Sequence, residues 1–120
     1  MQTMITTECP EFKSWLAKVA ELDRKYITET FENLQPNVYT AEDGQKFIRV
    51  VQASQSGTRR SVHCFIAKVD SETKALGKVK AGDILKPASW KTPAKHARGN
   101  ILDEHGGMSQ MGPYGPAYRR

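Results

Sequence analysis

Apolar residues recur as Phe12, Trp15, Leu16, Val19, Leu22, Tyr26, Ile27, Phe31 and Leu34, the three-and-four spacing of one helix face. The opposite face carries Lys13, Lys18, Glu21, Arg24, Lys25, Glu29 and Glu32, the mixed charge of a solvated surface. Pro10 suits the first helical position, which needs no amide donor, with Cys9 or Thr7 just ahead as the boundary, and Pro36 blocks continuation. The pattern predicts a helix over about 10–34. Phe12, Val19 and Tyr26 with Trp15 and Leu22 also approximate a heptad seam, but the run is short and ordinary core packing accounts for it better.

The period then changes to that of strands. Val38 to Ala41 is short and β-prone, Glu42-Asp43-Gly44 supplies a turn, and Lys46 to Ala53 is β-rich, which together predict a hairpin. After a polar turn around Gly57, which displays Arg59 and Arg60, Ser61 to Val69 reads as a third strand. Asp70 to Ala81 is polar and lysine-rich, compatible with a loop or a short helical turn, and Gly82 to Lys86 reads as a fourth strand ended by Pro87. Short connections favour an antiparallel meander, and one apolar sheet face needs the helix to cover it. The expected fold is therefore α+β: a long N-terminal amphipathic helix on a small antiparallel β-meander, then an irregular Gly/Pro-rich C-terminal segment. We expect one domain over 1–120, with strands over about 38–88 and a basic loop and irregular tail over 89–120.

Charge adds a polarity to this picture. Residues 1–44 hold four basic and eight acidic side chains, whereas residues 45–120 hold fourteen basic and five acidic ones. A positive field of that kind concentrates anionic partners, of which phosphate backbones are the commonest. The N-terminus lacks a basic segment followed by an apolar run, and no apolar stretch is long enough to span a bilayer, so neither secretion nor membrane insertion is expected. Two cysteines define neither a disulfide framework nor a zinc site, and reduced thiols are expected.

The strongest chemical signal is Lys86 to Arg98, which holds Lys86, Lys91, Lys95, Arg98, His96 and Trp90 and no acidic residue. Lysine and arginine neutralise phosphates, and an indole stacks on an unpaired base, so single-stranded nucleic acid uses both. Arg59 and Arg60 at the hairpin tip, and Arg119 and Arg120 at the terminus, extend that surface if the fold brings them near. His63 and Cys64 invite a thiol–imidazole dyad, but neighbours on a regular strand point to opposite faces. That alternation predicts Cys64 beside Val62 and Ile66 in the core, and His63 alongside Phe65. Asp103, Glu104, His105 and His96 do not have metal-site spacing, the adjacent acids Glu42-Asp43 and Asp103-Glu104 are expected in turns, and Gly106-Gly107 lacks the remainder of a phosphate loop. No enzyme activity, metal or cofactor is expected.

The stretch Ser61 to Phe65, the phrases Ala88-Ser89-Trp90-Lys91, Pro93-Ala94-Lys95 and Ala97-Arg98-Gly99-Asn100-Ile101, and the closing Tyr114-Gly115-Pro116-Ala117-Tyr118 resemble a recurrent small protein of tailed bacteriophages. The resemblance covers about residues 45–120, leaves the N-terminal helix outside, and implies a host cytoplasm during infection without a mechanism. The resulting expectation is a small phage-encoded nucleic-acid-binding protein, single strands favoured, acting there as a monomer or homodimer. The alternatives are a phage protein that binds and modulates a host enzyme or defence factor, or a minor virion or assembly component.

Overall fold

The structure, a computed structural model, describes residues 4–30, 35–95, 97, 99–102, 111, 112, 115 and 116. Helix α1 spans Pro10–Thr30, and the expected turn beyond it lies outside the described residues. The Lys13 amide donates to the Cys9 carbonyl at 3.1 Å, which makes Cys9 the cap and Pro10 the first helical residue. The buried face is Phe12, Trp15, Val19 and Asp23. Leu22, Tyr26 and Ile27 of the predicted stripe are only half-buried. The carboxylate of Asp23 therefore sits where the apolar periodicity gave no reason to expect one.

Strands β1 (Val38–Asp43) and β2 (Phe47–Ala53) form the predicted hairpin, except that Glu42 and Asp43, expected in the turn, extend β1 opposite Arg49 and Ile48, and β3 (Arg60–Ala67) adds antiparallel to β2. The segment read as a loop or helical turn is instead a second small hairpin, β4 (Ser71–Thr73) with β5 (Gly77–Val79). It closes because the Thr73 hydroxyl accepts from the Leu76 amide at 3.1 Å and Leu76 and Val79 pack against Phe65 and Leu85. The fourth strand of the main sheet, β6, is short (Ile84–Leu85) and pairs with β3, giving the order β1-β2-β3-β6. Strands β7 (Met111–Gly112) and β8 (Gly115–Pro116) pair within the C-terminal segment. The fold is thus α+β with an antiparallel sheet.

Each sheet face has its own apolar layer. Phe12, Trp15 and Val19 of α1 pack on Ile48, Val50, Cys64, Ile66 and Ile84, joined by Ile5 and Ile101. Burying each such side chain contributes about 1.5–3 kcal/mol. On the other face Phe65, Ala67, Val79 and Leu85 gather with Phe47, Val62 and Leu76.

The alternation along β3 does not run as predicted. Val50 pairs with Cys64 but Val51 pairs with Val62, so His63 is an extra residue in the ladder, a β-bulge. The bulge turns His63 toward α1, where its ring meets Tyr39 edge-on at 5.3 Å and Trp15 at 6.5 Å. Val62 is moved to the far face with Phe65. Two expectations are corrected by it: His63 does not lie alongside Phe65, and Cys64 does not share its face with Val62, although it does share it with Ile66.

The ends of the sheet are clasped by Gly82-Asp83 and Gly99-Asn100-Ile101. Asn100 Nδ2 donates to Ala81 O and Asp83 Oδ1, both at 3.0 Å, and its Oδ1 accepts the Leu102 amide at 2.7 Å. The Ile84 and Ile101 amides donate to Gly99 O and Gly82 O, each at 2.9 Å. Gly82 has φ +90°, and a Cβ there would stand 2.6 Å from Asn100 Oδ1, so only glycine fits. The Gly-Asp-Ile and Gly-Asn-Ile phrases are thereby explained as architecture.

Candidate functional site

Beyond β6 the basic segment folds into a tight, hydrogen-bonded loop. Pro87 and Pro93 lie opposite each other, and the Ala94 amide donates to Lys86 O at 2.7 Å. The Ala88 and Ser89 amides donate to Thr92 O at 2.9 and 3.1 Å, and Ser89 Oγ accepts from the Lys91 and Thr92 amides. Serine satisfies its own turn in this way, leaving Trp90 and Lys91 at the tip. Trp90 is 39% exposed, the most solvent-accessible aromatic ring among the described residues.

The tip leans over the sheet face that α1 leaves open. Arg49 on β2 and Arg60 on β3 place their guanidinium carbons 5.0 and 5.5 Å from the Trp90 ring centroid, within cation–π range. Arg49 also donates through Nη1 to the Trp90 carbonyl at 3.1 Å and through Nε to Glu42 Oε1 at 2.9 Å. The arginines brace the indole, and the indole in turn restrains long side chains that would otherwise lose entropy on binding. Beside them, Glu42, Lys46, Phe47, Arg49, Phe65 and Lys91 line a groove of about 230 Å³. Its floor includes the Phe47–Phe65 pair, edge to face at 6.4 Å.

Of the residues singled out in the sequence, Trp90, Lys91 and Arg60 come together here. Arg59 lines a separate groove with Asn37, Gln52 and Ser61, which Arg60 also borders. Lys86 is half-buried and its charge acts on His63, which faces α1. Lys95 reaches back to Gly77 at the start of β5, its Cε 3.9 Å from where a Cβ would stand. His96, Arg98, Arg119 and Arg120 lie outside the described residues. Sequence reasoning passed over Arg49. The signal was present: a lone cation between Ile48 and Val50 in an apolar strand must project from the face opposite the core.

A second polar cluster lies between α1 and the sheet. Asp23, 2% exposed, accepts from the Asn37 amide at 2.9 Å, Asn37 Nδ2 at 3.0 Å and the Tyr39 hydroxyl at 3.1 Å, and Gln52 donates to that hydroxyl at 2.8 Å. Burial, then the Asp23 charge, pushes the Tyr39 phenol up. The bulge brings His63 Nδ1 within 3.4 Å of Cys64 Sγ, so the dyad that regular alternation forbids is present as a contact. Its chemistry is not that of a nucleophile. Burial lowers His63 to about 4 and pushes the Cys64 thiol well up, so at neutral pH a neutral imidazole faces a neutral thiol. Among the described residues no three metal-ligating side chains converge, and no helix is long and apolar enough to cross a membrane.

The molecule is therefore an α+β protein whose helix covers one sheet face and whose other face presents an arginine-braced tryptophan. The chain belongs to a family of unknown function (DUF7717), whose model matches residues 1–112. That match takes in α1, which the phage resemblance leaves outside. No curated protein and no solved structure matches the chain.

Proposed function

We propose that this chain binds nucleic acid, with single strands favoured, through Trp90, Arg49, Arg60 and Lys91, and that it is phage-encoded and acts in the cytoplasm of an infected host. The observation that carries the reading is the convergence of two arginines from adjacent strands on one half-exposed indole at the tip of a basic loop. Phosphates gain charge-assisted contacts from the cations, and a base gains an apolar partner in the exposed part of the indole. The same anchors suit a protein interface, which is the outcome to pursue if nucleic acid does not bind.

The test is fluorescence anisotropy with labelled single-stranded and duplex DNA and RNA across a salt series. Micromolar or tighter binding that falls steeply with salt is expected. Trp90→Ala should weaken it by roughly 1–3 kcal/mol, the worth of one stacked base. Flat titrations at low salt, or full affinity in both Trp90→Ala and Lys91→Glu, would overturn the reading.

A further inference from the structure

The groove beside Trp90 carries two carboxylates that phosphate binding cannot use, Glu42 and Asp43, of which Asp43 is engaged by the Thr7 hydroxyl and Lys68. Glu42 stands on β1 directly opposite Arg49 of β2, with its side chain 44% exposed. Its Oε1 accepts from Arg49 Nε, and among the described residues Oε2 has no hydrogen-bond partner. A carboxylate repels phosphate, yet this one lies on the wall of the groove beside Trp90. A carboxylate only accepts hydrogen bonds, so its partner must present N–H or O–H donors, and on a base edge these are N–H groups.

Resting on the nucleic-acid reading above, we propose that this groove takes one unpaired base of the bound strand and that Glu42 reads its edge, selecting guanine. The volume of about 230 Å³ is below the roughly 300–1,000 Å³ of drug-sized sites and leaves room for a single flat ring system. The half-buried Phe47 ring gives that base an apolar surface, and exposed Lys46 and Lys91 stand at the rim for the flanking phosphates. Guanine presents its ring N1–H and 2-amino group side by side, matching the two oxygens of one carboxylate. Adenine and cytosine present one amino group next to a ring acceptor. Thymine and uracil present one N–H between two carbonyls, which a carboxylate repels. The Arg49 pair fixes the Glu42 rotamer in advance, so selection costs little ordering.

The measurement is competition by short oligothymidylates carrying one central deoxyguanosine, deoxyinosine, deoxyadenosine or deoxycytidine against a labelled strand on the full chain. Deoxyinosine removes only the 2-amino group and leaves the protein unaltered. Deoxyguanosine is expected to bind roughly tenfold tighter than deoxyinosine, the discrimination of one bidentate contact. Glu42→Gln should erase that difference while binding of plain oligothymidylate holds or rises. Equal affinity for the two bases, or a guanine preference that survives Glu42→Gln, overturns the inference and leaves the nucleic-acid reading standing. Absence of binding by every oligonucleotide overturns both. A thermal melt of Glu42→Gln checks its fold, and the deoxyinosine comparison needs no variant at all.

Discussion

His63 is the residue at which local geometry departs furthest from the strand pattern, and its chemistry follows from that departure. As the extra residue of a bulge it is turned from the outer face to the α1 side, where it is 7% exposed and its Nε2 is buried without a partner among the described residues. The folded state therefore refuses a proton that the unfolded chain accepts. Its folded value of about 4 lies below the ordinary 6.5, so the unfolded state binds more protons between those limits and stability must fall with acidification across that window. Above the window both states are neutral and His63 contributes no slope. Below it the full loss reaches about 3 kcal/mol. Asp43 adds to acid lability in a lower range, because its hydrogen bond from Thr7 and its pairing with Lys68 hold it below the usual carboxylate value, and that stabilisation is lost as it protonates. Urea unfolding from pH 8 to pH 4 should show the His63 slope in the native sequence and a flatter curve in His63→Gln. Identical curves would show that the imidazole is not held neutral by the core.

At the scale of elements, the clasp that joins β6 to the Gly99–Ile101 segment is as important to the fold as the strands. Gly82 and Gly57 both have positive φ, at +90° and +77°, but a Cβ at Gly57 meets open space whereas one at Gly82 meets Asn100. Gly57→Ala should lose about 1 kcal/mol for the backbone alone. Gly82→Ala should lose at least about 2 kcal/mol more, since Asn100 must give up bonds to Ala81, Asp83 and Leu102. Chemical denaturation of the two variants side by side measures the clasp, and equal losses would show that it contributes nothing. These contacts also mark how far the sequence could be read. Periodicity placed α1, the β1–β2 hairpin and β3, because each buries one face over many residues. It did not place the β4–β5 hairpin, whose strands are three residues each and are set by one threonine bond and two apolar contacts. Nor did it find Asp23 or the bulge, since a buried carboxylate and an inserted ladder residue are decided by partners distant in the chain. The site was half legible: Trp90, Lys91 and Arg60 carry visible chemistry, while Arg49 and Glu42 acquire theirs only when β1, β2 and the loop meet.

Charge divides along the chain at about residue 44, but pairing in the fold changes which charges count. Glu21 and Arg24 neutralise one another on α1, as do Glu8 and Lys13 at its start, and Lys68 is taken by Asp43. Arg60 and Lys91 have no ion pair among the described residues, so the field they project is not cancelled locally. Charge far from the contact acts only through a screened field that decays over about 8–10 Å in physiological salt. Charge at the contact displaces a counterion each time it meets a phosphate. The two roles separate in a salt series. Arg60→Glu and Lys91→Glu should each lower the slope of log affinity against log salt by about one, because each removes a phosphate contact. Lys18→Glu and Lys25→Glu on the exposed face of α1 make the same change in net charge and should leave the slope as it is. If all four variants lower the slope equally, binding reads net charge alone and the Trp90 face has no special part in it. If only the first two do, the strand lies across the open face of the sheet, on the side away from the helix.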